Sequence, residues 1–462
     1  MSLLGRLADA LWNPWLLGLF LFTGLVLTVG SGFFPLRHFR LWWRVTAGRL
    51  LHTSRASKGG GISSLQALAT ALASTIGTGS IAGVAMAIYL GGPGAVFWMW
   101  VSALLGMSTG CVEKLLSVKY QTPAPGGGRQ GGPMFYLRDG LRAPKLAAWF
   151  SLACLPAALA GGGLIQSSSI ASALSDAFGI DRLFAGCAAA LLAGLVLFGG
   201  VGRIARVSQR LVPAMALLYL GCGALVLWAR REELPQAFAL IFSCALTPES
   251  ALGGGGGYAL STALRHGVAR GVFTNEAGLG TSAMAHGAAR TDHPARQGMW
   301  GIFEVFFSTL VVCTVTALVI LVSGVYDPRE ALTQLSSGLP DAGLGVPLTA
   351  RAFASVLGRA GERAVALSLL LFAFSSILGW SYYGEQGLRY LSGGDRRLLP
   401  YRLVFLGCVV LGAVTGPGPL WQLVDLCSAL MALPNLTALL LLSPQALSCL
   451  RGWVRKQGKA PG

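Results

Sequence analysis

The chain has 462 residues, of which 54% are hydrophobic and 11% charged, whereas an ordinary soluble domain is about a quarter charged. That excludes a soluble globular protein and points to an all-α polytopic membrane protein. The formal charge of +17 is spread between apolar segments, so it argues for a lipid bilayer as partner and against nucleic acid.

At about 20 apolar residues per crossing, eleven segments are long enough to span: 12–34, 62–90, 93–118, 146–175, 183–200, 207–229, 260–288, 299–323, 363–391, 400–415 and 419–449. The first lacks a strongly basic leader and a small-residue cleavage site, so it reads as a retained helix rather than a signal peptide. The 64 glycines show no triplet period, which excludes collagen, and they suit helices packed closely in lipid. Of the nine cysteines, Cys111, Cys154, Cys187, Cys222, Cys313, Cys408 and Cys427 lie in apolar stretches, and no C-x-x-C pair occurs. They read as small buried hydrophobes. His38, His52, His266, His286 and His293 have no ligand-like spacing, which gives zinc catalysis no support.

Lys and Arg between the spans set the orientation, because basic loops stay cytoplasmic. They divide 24 to 10 between the two sides, with Lys114 inside a span. The richer side collects the loop from Arg37 to Lys58, the trio Arg203, Arg206 and Arg210, and the tail from Arg451. This predicts a multi-pass protein of a cell inner membrane, with the amino terminus external and the carboxyl terminus cytoplasmic.

Two spans are interrupted by glycine in mid-membrane, the pattern expected of a secondary transporter. The second span carries GTGS at 77–80, and the seventh carries NEAGLG at 275–280. They stand five spans apart. Setting the first helix aside leaves five plus five spans, each half opening on a broken helix, and the odd repeat length inverts the second half. The division runs 1–60 for the extra helix and basic loop, 61–230 and 231–450 for the two five-helix repeats, and 451–462 for a basic tail.

An unwound backbone in hydrocarbon is tolerated only where it lines a cavity or binds something. A half-helix that begins there offers free N–H groups and a positive dipole end to an anion, and one that ends there offers carbonyls to a cation. At the first break, Gly79 and its neighbours thus suit a carboxylate, while the carbonyls of Ala73 and Ile76 are released towards a metal cation. Carbonyls from Asn275 to Gly280 suit an ammonium group, so a zwitterionic amino acid fits both ends. The competing explanation for the first break is a close-packing face with Gly79 and Gly83 four apart. Glu276 reads as a carboxyl that ties the unwound stretch or serves gating and coupling.

Gln166, in LIQSSS at 164–169, is either interhelical glue or a ligand, since an unpaired amide in lipid is costly. In the ninth span, Ser375 and Ser376 could simply bond back to the preceding turn. Ser376 and Trp380 are four apart and share a helix face, however, which places an oxygen and an indole one turn from each other. Hydroxyls and carbonyls without a full carboxylate suit a weakly bound monovalent ion better than calcium or magnesium.

These stretches, with GGPGAVFWMW at 91–100, GGPMFYL at 131–137 and FSSILGW at 374–380, resemble the alanine or glycine:cation symporter family. The resemblance covers most of the chain and implies a leucine-transporter-like fold with one extra N-terminal helix, sodium as coupling ion, a small neutral amino acid as substrate and no organic cofactor. Carried over by position, it puts substrate contacts at Thr78, Gly79, Gln166, Asn275, Gly278 and Trp380. Sodium would sit among Ala73, Ile76, Phe372, Ser375 and Ser376. The family usually has asparagine where this chain has Ser80, Gly163 and Ser168, a departure that bears on substrate preference.

The main alternative is a proton-coupled permease of the same fold, in which Glu276 or Glu304 would cycle protons. An integral-membrane enzyme would need clustered ionisable groups in the bilayer, whereas Glu113, Glu276, Glu304, Glu385 and Asp425 read as scattered. A channel is disfavoured because no repeated pore ring is visible.

Overall fold

A computed structural model describes residues 11–12, 14–49, 61–125, 127–246, 256–327, 345–415 and 418–457. Arg6, Arg55, Lys58, Arg329 and Lys459, which enter the charge division, lie outside the described residues, as do parts of the segments 1–60 and 451–462.

Helices α1 (Pro14–Gly30) and α2 (Phe39–Val45) precede the first broken helix, made of α3 (Ser64–Thr75), a π stretch over Gly79–Gly83 and α4 (Val84–Gly91). Ser63 opens α3 with a capping box: its hydroxyl accepts the Gln66 N–H while Gln66 accepts the Ser63 N–H, which satisfies two of the otherwise orphaned donors. Next come α5 (Gly94–Lys119), α6 (Pro144–Ala157), a π stretch over Ala158–Leu164, α7 (Ile165–Phe178), α8 (Arg182–Leu197), α9 (Gly200–Ala229) and α10 (Leu234–Leu246). The second half runs α11 (Gly256–Asn275), α12 (Thr281–Gly287), α13 (Pro294–Val305), a π stretch over Phe306–Cys313, α14 (Thr314–Val322), α15 (Gly345–Leu357), α16 (Arg359–Ser392), α17 (Leu398–Val414) and α18 (Gly418–Gln457).

Among the described residues six helical segments are long and apolar enough to cross a membrane, and Ser64–Thr75 with Gly79–Gly91, bent by 52°, makes a seventh. Helices α1 and α17 have 17 residues and α8 has 16. At 1.5 Å per residue each covers about 25 Å, short of the ~30 Å hydrocarbon core. The seventh segment, 260–288, is broken where the glycines placed the interruption: it forms two helices, α11 and α12, separated by Glu276–Gly280. Helices α10 and α15 have no counterpart among the expected spans; each has 13 residues, well short of the about 20 that a crossing needs.

The two broken helices lie side by side and antiparallel. α3 packs on α12 and α4 on α11, and Ile62 and Ser63 pair with Ala289 and Arg290, so the start of one broken helix adjoins the end of the other. Three further pairs pack by counterpart across the halves, α5 on α13, α7 on α16 and α8 on α17, whereas α9 packs on α3 and α16. α1 lies against α5 and α18. A Cβ built on Gly24 would come 2.8 Å from the Leu105 Cβ, so the missing side chain is what lets α1 approach. The Thr28 hydroxyl then donates to Ser108 Oγ at 2.9 Å. The short helix α15 covers the outgoing half of the first broken helix, where a Cβ on Gly345 would lie 2.7 Å from the Ala82 carbonyl oxygen.

Candidate functional site

The first break starts where Ile76 leaves the α-helical region (φ −87°, ψ 73°) after its N–H closes the last turn on the Leu72 carbonyl. It ends where the Ser80 N–H donates to the Gly77 carbonyl at 3.1 Å. Ala73, Ile76, Thr78 and Ser80 are all buried. α16 crosses this point. Ser375 Oγ donates to the carbonyls of Phe372 at 2.8 Å and Ala73 at 2.9 Å, and Ser376 Oγ reaches Ala73 at 3.0 Å and the Ser74 carbonyl at 3.4 Å. Carbonyl and hydroxyl oxygens from two helices thus converge on Ala73 with no carboxylate among them. Ile76 ends the same turn. The absent side chain of Gly77 leaves room for the Ser376 hydroxyl, since a Cβ would lie 2.5 Å from Ser376 Oγ.

On the other side of the break, a Cβ on Gly79 would lie 3.2 Å from the Phe273 ring and 3.4 Å from Thr274 Oγ1. The last turn of α11 therefore faces the first break. Phe273 meets Trp421 edge-on at 5.4 Å, and the Arg270 guanidinium lies 5.0 Å over Trp421. These rings join Ala160, Ile165 and Val424 in a small apolar cluster separate from the main core. Thr78 Oγ1 and Ser80 Oγ are buried without a protein partner, a costly arrangement in the absence of a ligand or water.

The fourth span passes this cluster through the π stretch Ala158–Leu164. Gln166 Nε2 donates to the Gly161 carbonyl at 3.2 Å, while its Oε1 is buried and unpartnered. Trp380 is buried, and the glycines of the π stretch make room for it, since a Cβ on Gly162 would lie 2.3 Å from the Trp380 Cβ. The Trp380 ring lies 5.8 Å from that of Tyr383, whose hydroxyl is 2.6 Å from Ser74 Oγ. Trp380, the serine pair and the first break are thus mechanically continuous.

The second break is held differently. Glu276 adopts a left-handed backbone (φ 53°), with Gly278 at 96° and Gly280 at 81°, conformations that glycine tolerates and glutamate rarely takes. Glu276 Oε2 accepts from Thr281 Oγ1 at 2.5 Å, and Asn275 Oδ1 accepts from the Ala277 N–H at 3.0 Å. The Gly278 N–H donates to Glu113 Oε1 at 2.9 Å, and Asn435 Nδ2 donates both to that oxygen at 2.7 Å and to the Gly278 carbonyl at 2.8 Å. Tyr136 donates in turn to Asn435 Oδ1. Both backbone groups of Gly278 are engaged, and a Cβ there would meet Phe20 and Leu436, not the Phe273 and Thr274 that surround Gly79. The structure does not bring Gly278 together with Thr78 and Gly79. The Asn275 side chain lies against Gly106 of α5, with Nδ2 unpartnered.

The reading of Glu113 and Glu304 as scattered needs correction. Lys114 Nζ lies 3.3 Å from Glu113 Oε2 and 3.6 Å from Glu304 Oε2, and His286 Nε2 lies 3.2 Å from the same Glu304 oxygen. Gln297 Nε2 is 2.6 Å from His286 Nδ1. All four charged or titratable side chains are buried. Adjacent charges in mid-span, Glu113 followed by Lys114, were the sequence signal for this network. Among the described residues no group of three His, Cys, Asp or Glu could hold a metal ion.

A bundle that crosses the membrane and sets one broken helix against another around buried, partly unsatisfied oxygens belongs to the class of secondary transporters. A manganese transporter of Eremococcus coleocola has a related fold, with a TM-score of 0.55 at 16% identity over 84% of each chain. The chain belongs to the sodium:alanine symporter family, whose sequence model matches residues 1–461. It is 38% identical over 452 residues to the sodium/alanine symporter AgcS of Methanococcus maripaludis, covering 97% of this chain and 96% of that one. It is also similar to the probable sodium/glutamine symporter GlnT of Bacillus subtilis, at 35% identity over 461 residues, 99% of this chain and 92% of that one. The protein is a membrane transporter of that family and not an enzyme.

Proposed function

We propose that the protein carries a small neutral amino acid, alanine- or glycine-like, into the cell together with sodium by alternating access. The observation that carries this reading is the convergence of Ser375 Oγ and Ser376 Oγ on the Ala73 carbonyl, beside a helix break where Gly77 leaves room for Ser376 Oγ. Sodium is the co-substrate, held by the carbonyls of Ala73, Ile76 and Phe372 with the two hydroxyls. Carboxylate-free oxygen donors of this kind suit a monovalent ion. The amino acid lies at Thr78 and Gly79, with Gln166 and Trp380 bounding its side chain; the unpartnered Thr78 Oγ1 and Gln166 Oε1 supply the polar contacts. Asn275 and Gly278 shape the second break rather than touch the substrate, and Glu276 fixes that break so that it moves as a unit.

The antiparallel broken helices and the counterpart packing of α5 on α13, α7 on α16 and α8 on α17 support an inverted five-plus-five repeat with α1 outside it. Eleven crossings then place the amino terminus outside and the tail inside, as the charge division requires. A second reading, proton coupling, draws on the buried Glu304–His286 pair. Uptake of a panel of labelled amino acids by proteoliposomes, with either an inward sodium gradient or a proton gradient alone, separates the two. Sodium-driven uptake of small neutral amino acids supports the first, and proton-driven uptake in sodium-free buffer refutes it.

A further inference from the structure

The outward face of α9 carries a feature that transport does not use. Arg203, Arg206 and Arg210 recur at helical spacing with Val207, Leu211 and Ala214, and together these residues line a cavity of about 480 Å³. Ile204, Ala205, Ser208 and Val212, on the opposite side of the helix, are buried in the bundle, while the three arginines are exposed. Arg203 Nη1 donates to the Leu195 carbonyl at 2.7 Å and Arg206 Nε to the Gly202 carbonyl at 3.1 Å. Among the described residues no carboxylate forms an ion pair with any of the three. The cationic cluster is therefore uncompensated. Further along the same stripe, Leu217 is 75% and Trp228 73% exposed, as expected of a face that meets acyl chains.

We propose that this cavity binds the headgroup of an anionic phospholipid from the cytoplasmic leaflet. Guanidinium groups engage a phosphodiester bidentately, and Val207, Leu211 and Ala214 lie where the acyl chains would begin. Arginines spaced three and four apart span about 10 Å along the helix, enough to grip a diacyl phosphoglycerol headgroup. Placing the cluster at the cytoplasmic boundary rests on the eleven-span orientation proposed above. α9 also packs against α3 and α16, which carry the ion-site residues, so a lipid held here would bear on the helices that carry transport.

The test is thermal unfolding of the delipidated full chain in detergent at fixed ionic strength. The added probes are dioctanoyl phosphatidylglycerol, dioctanoyl phosphatidylcholine or inorganic phosphate. Phosphatidylglycerol is expected to raise the melting temperature saturably, with the other two inert. R203Q/R206Q/R210Q is expected to need at least about tenfold more phosphatidylglycerol for half the shift, since each basic residue near an anionic surface is worth about a fivefold change, and R206Q alone several-fold more. An unchanged phosphatidylglycerol response in the triple variant overturns the site. An equal response to inorganic phosphate overturns the lipid assignment. The same triple variant in phosphatidylcholine vesicles is expected to keep wild-type sodium-driven uptake; absence of uptake in wild type as well counts against the transport reading, independently of the lipid titration.

Discussion

Glu113 and Gly278, 165 residues apart in sequence, are joined by a 2.9 Å hydrogen bond from the glycine N–H to the buried carboxylate. Asn435 closes the ring by donating to both the carboxylate and the Gly278 carbonyl. One carboxylate thus fixes the unwound stretch of the second broken helix to two other spans. Glu113→Ala would leave Lys114 with Glu304 as its remaining carboxylate and the Gly278 N–H without an acceptor. Removing one partner of a buried pair costs about 3–5 kcal/mol, so we expect a large fall in melting temperature. Glu113→Gln, which keeps an acceptor oxygen for Gly278, should lose less. Thermal unfolding in detergent checks the order.

Gly79→Val should abolish substrate binding in a folded protein, because a Cβ at this position already approaches the Phe273 ring at 3.2 Å and a branched side chain has nowhere to go. Ser80→Asn should be mild, since Ser80 Oγ has no protein partner to lose. Binding titrations on the purified variants decide this. Wild-type affinity in folded Gly79→Val would make the first break a packing device.

Trp380→Ala should admit larger amino acids and weaken binding of the smallest, as the indole is buried against the Gly162 backbone. Competition by a series from glycine to glutamine reads the preference order, and an unchanged order in the variant would return Trp380 to a packing role.

Much of this was legible in the sequence because mid-membrane glycines and polar residues are conspicuous in apolar segments. GTGS at 77–80 and NEAGLG at 275–280 marked both breaks, and the four-residue spacing of Ser376 and Trp380 placed them on one face. The clamp on Gly278 was not legible. Glu113, Tyr136 and Asn435 come from three separate segments, and only packing brings them to one peptide. Nor did composition reveal α10 and α15, whose 13 residues are too few to register as crossings. Residue identity marked where the chain must unwind, but tertiary contact decided what each unwound group touches.

Gly77→Ala should act on the ion and not on the fold. Its Cβ would sit 2.5 Å from Ser376 Oγ, displacing the hydroxyl from the Ala73 carbonyl. We expect the sodium concentration for half-maximal uptake to rise about tenfold with little change in melting temperature. Sodium titration of uptake beside thermal unfolding checks both halves.

The most direct test of sodium coupling is the sodium dependence of uptake in Ser375→Ala/Ser376→Ala proteoliposomes. Substrate and ion share one unwound backbone, so their sites should be linked by about 1–3 kcal/mol, roughly 5- to 150-fold in affinity. Loss of both hydroxyls is predicted to raise the half-maximal sodium concentration and weaken the dependence of substrate affinity on sodium, while Glu276→Gln keeps its sodium dependence. Uptake driven by a proton gradient without sodium, and indifferent to the loss of both serines, would contradict the account.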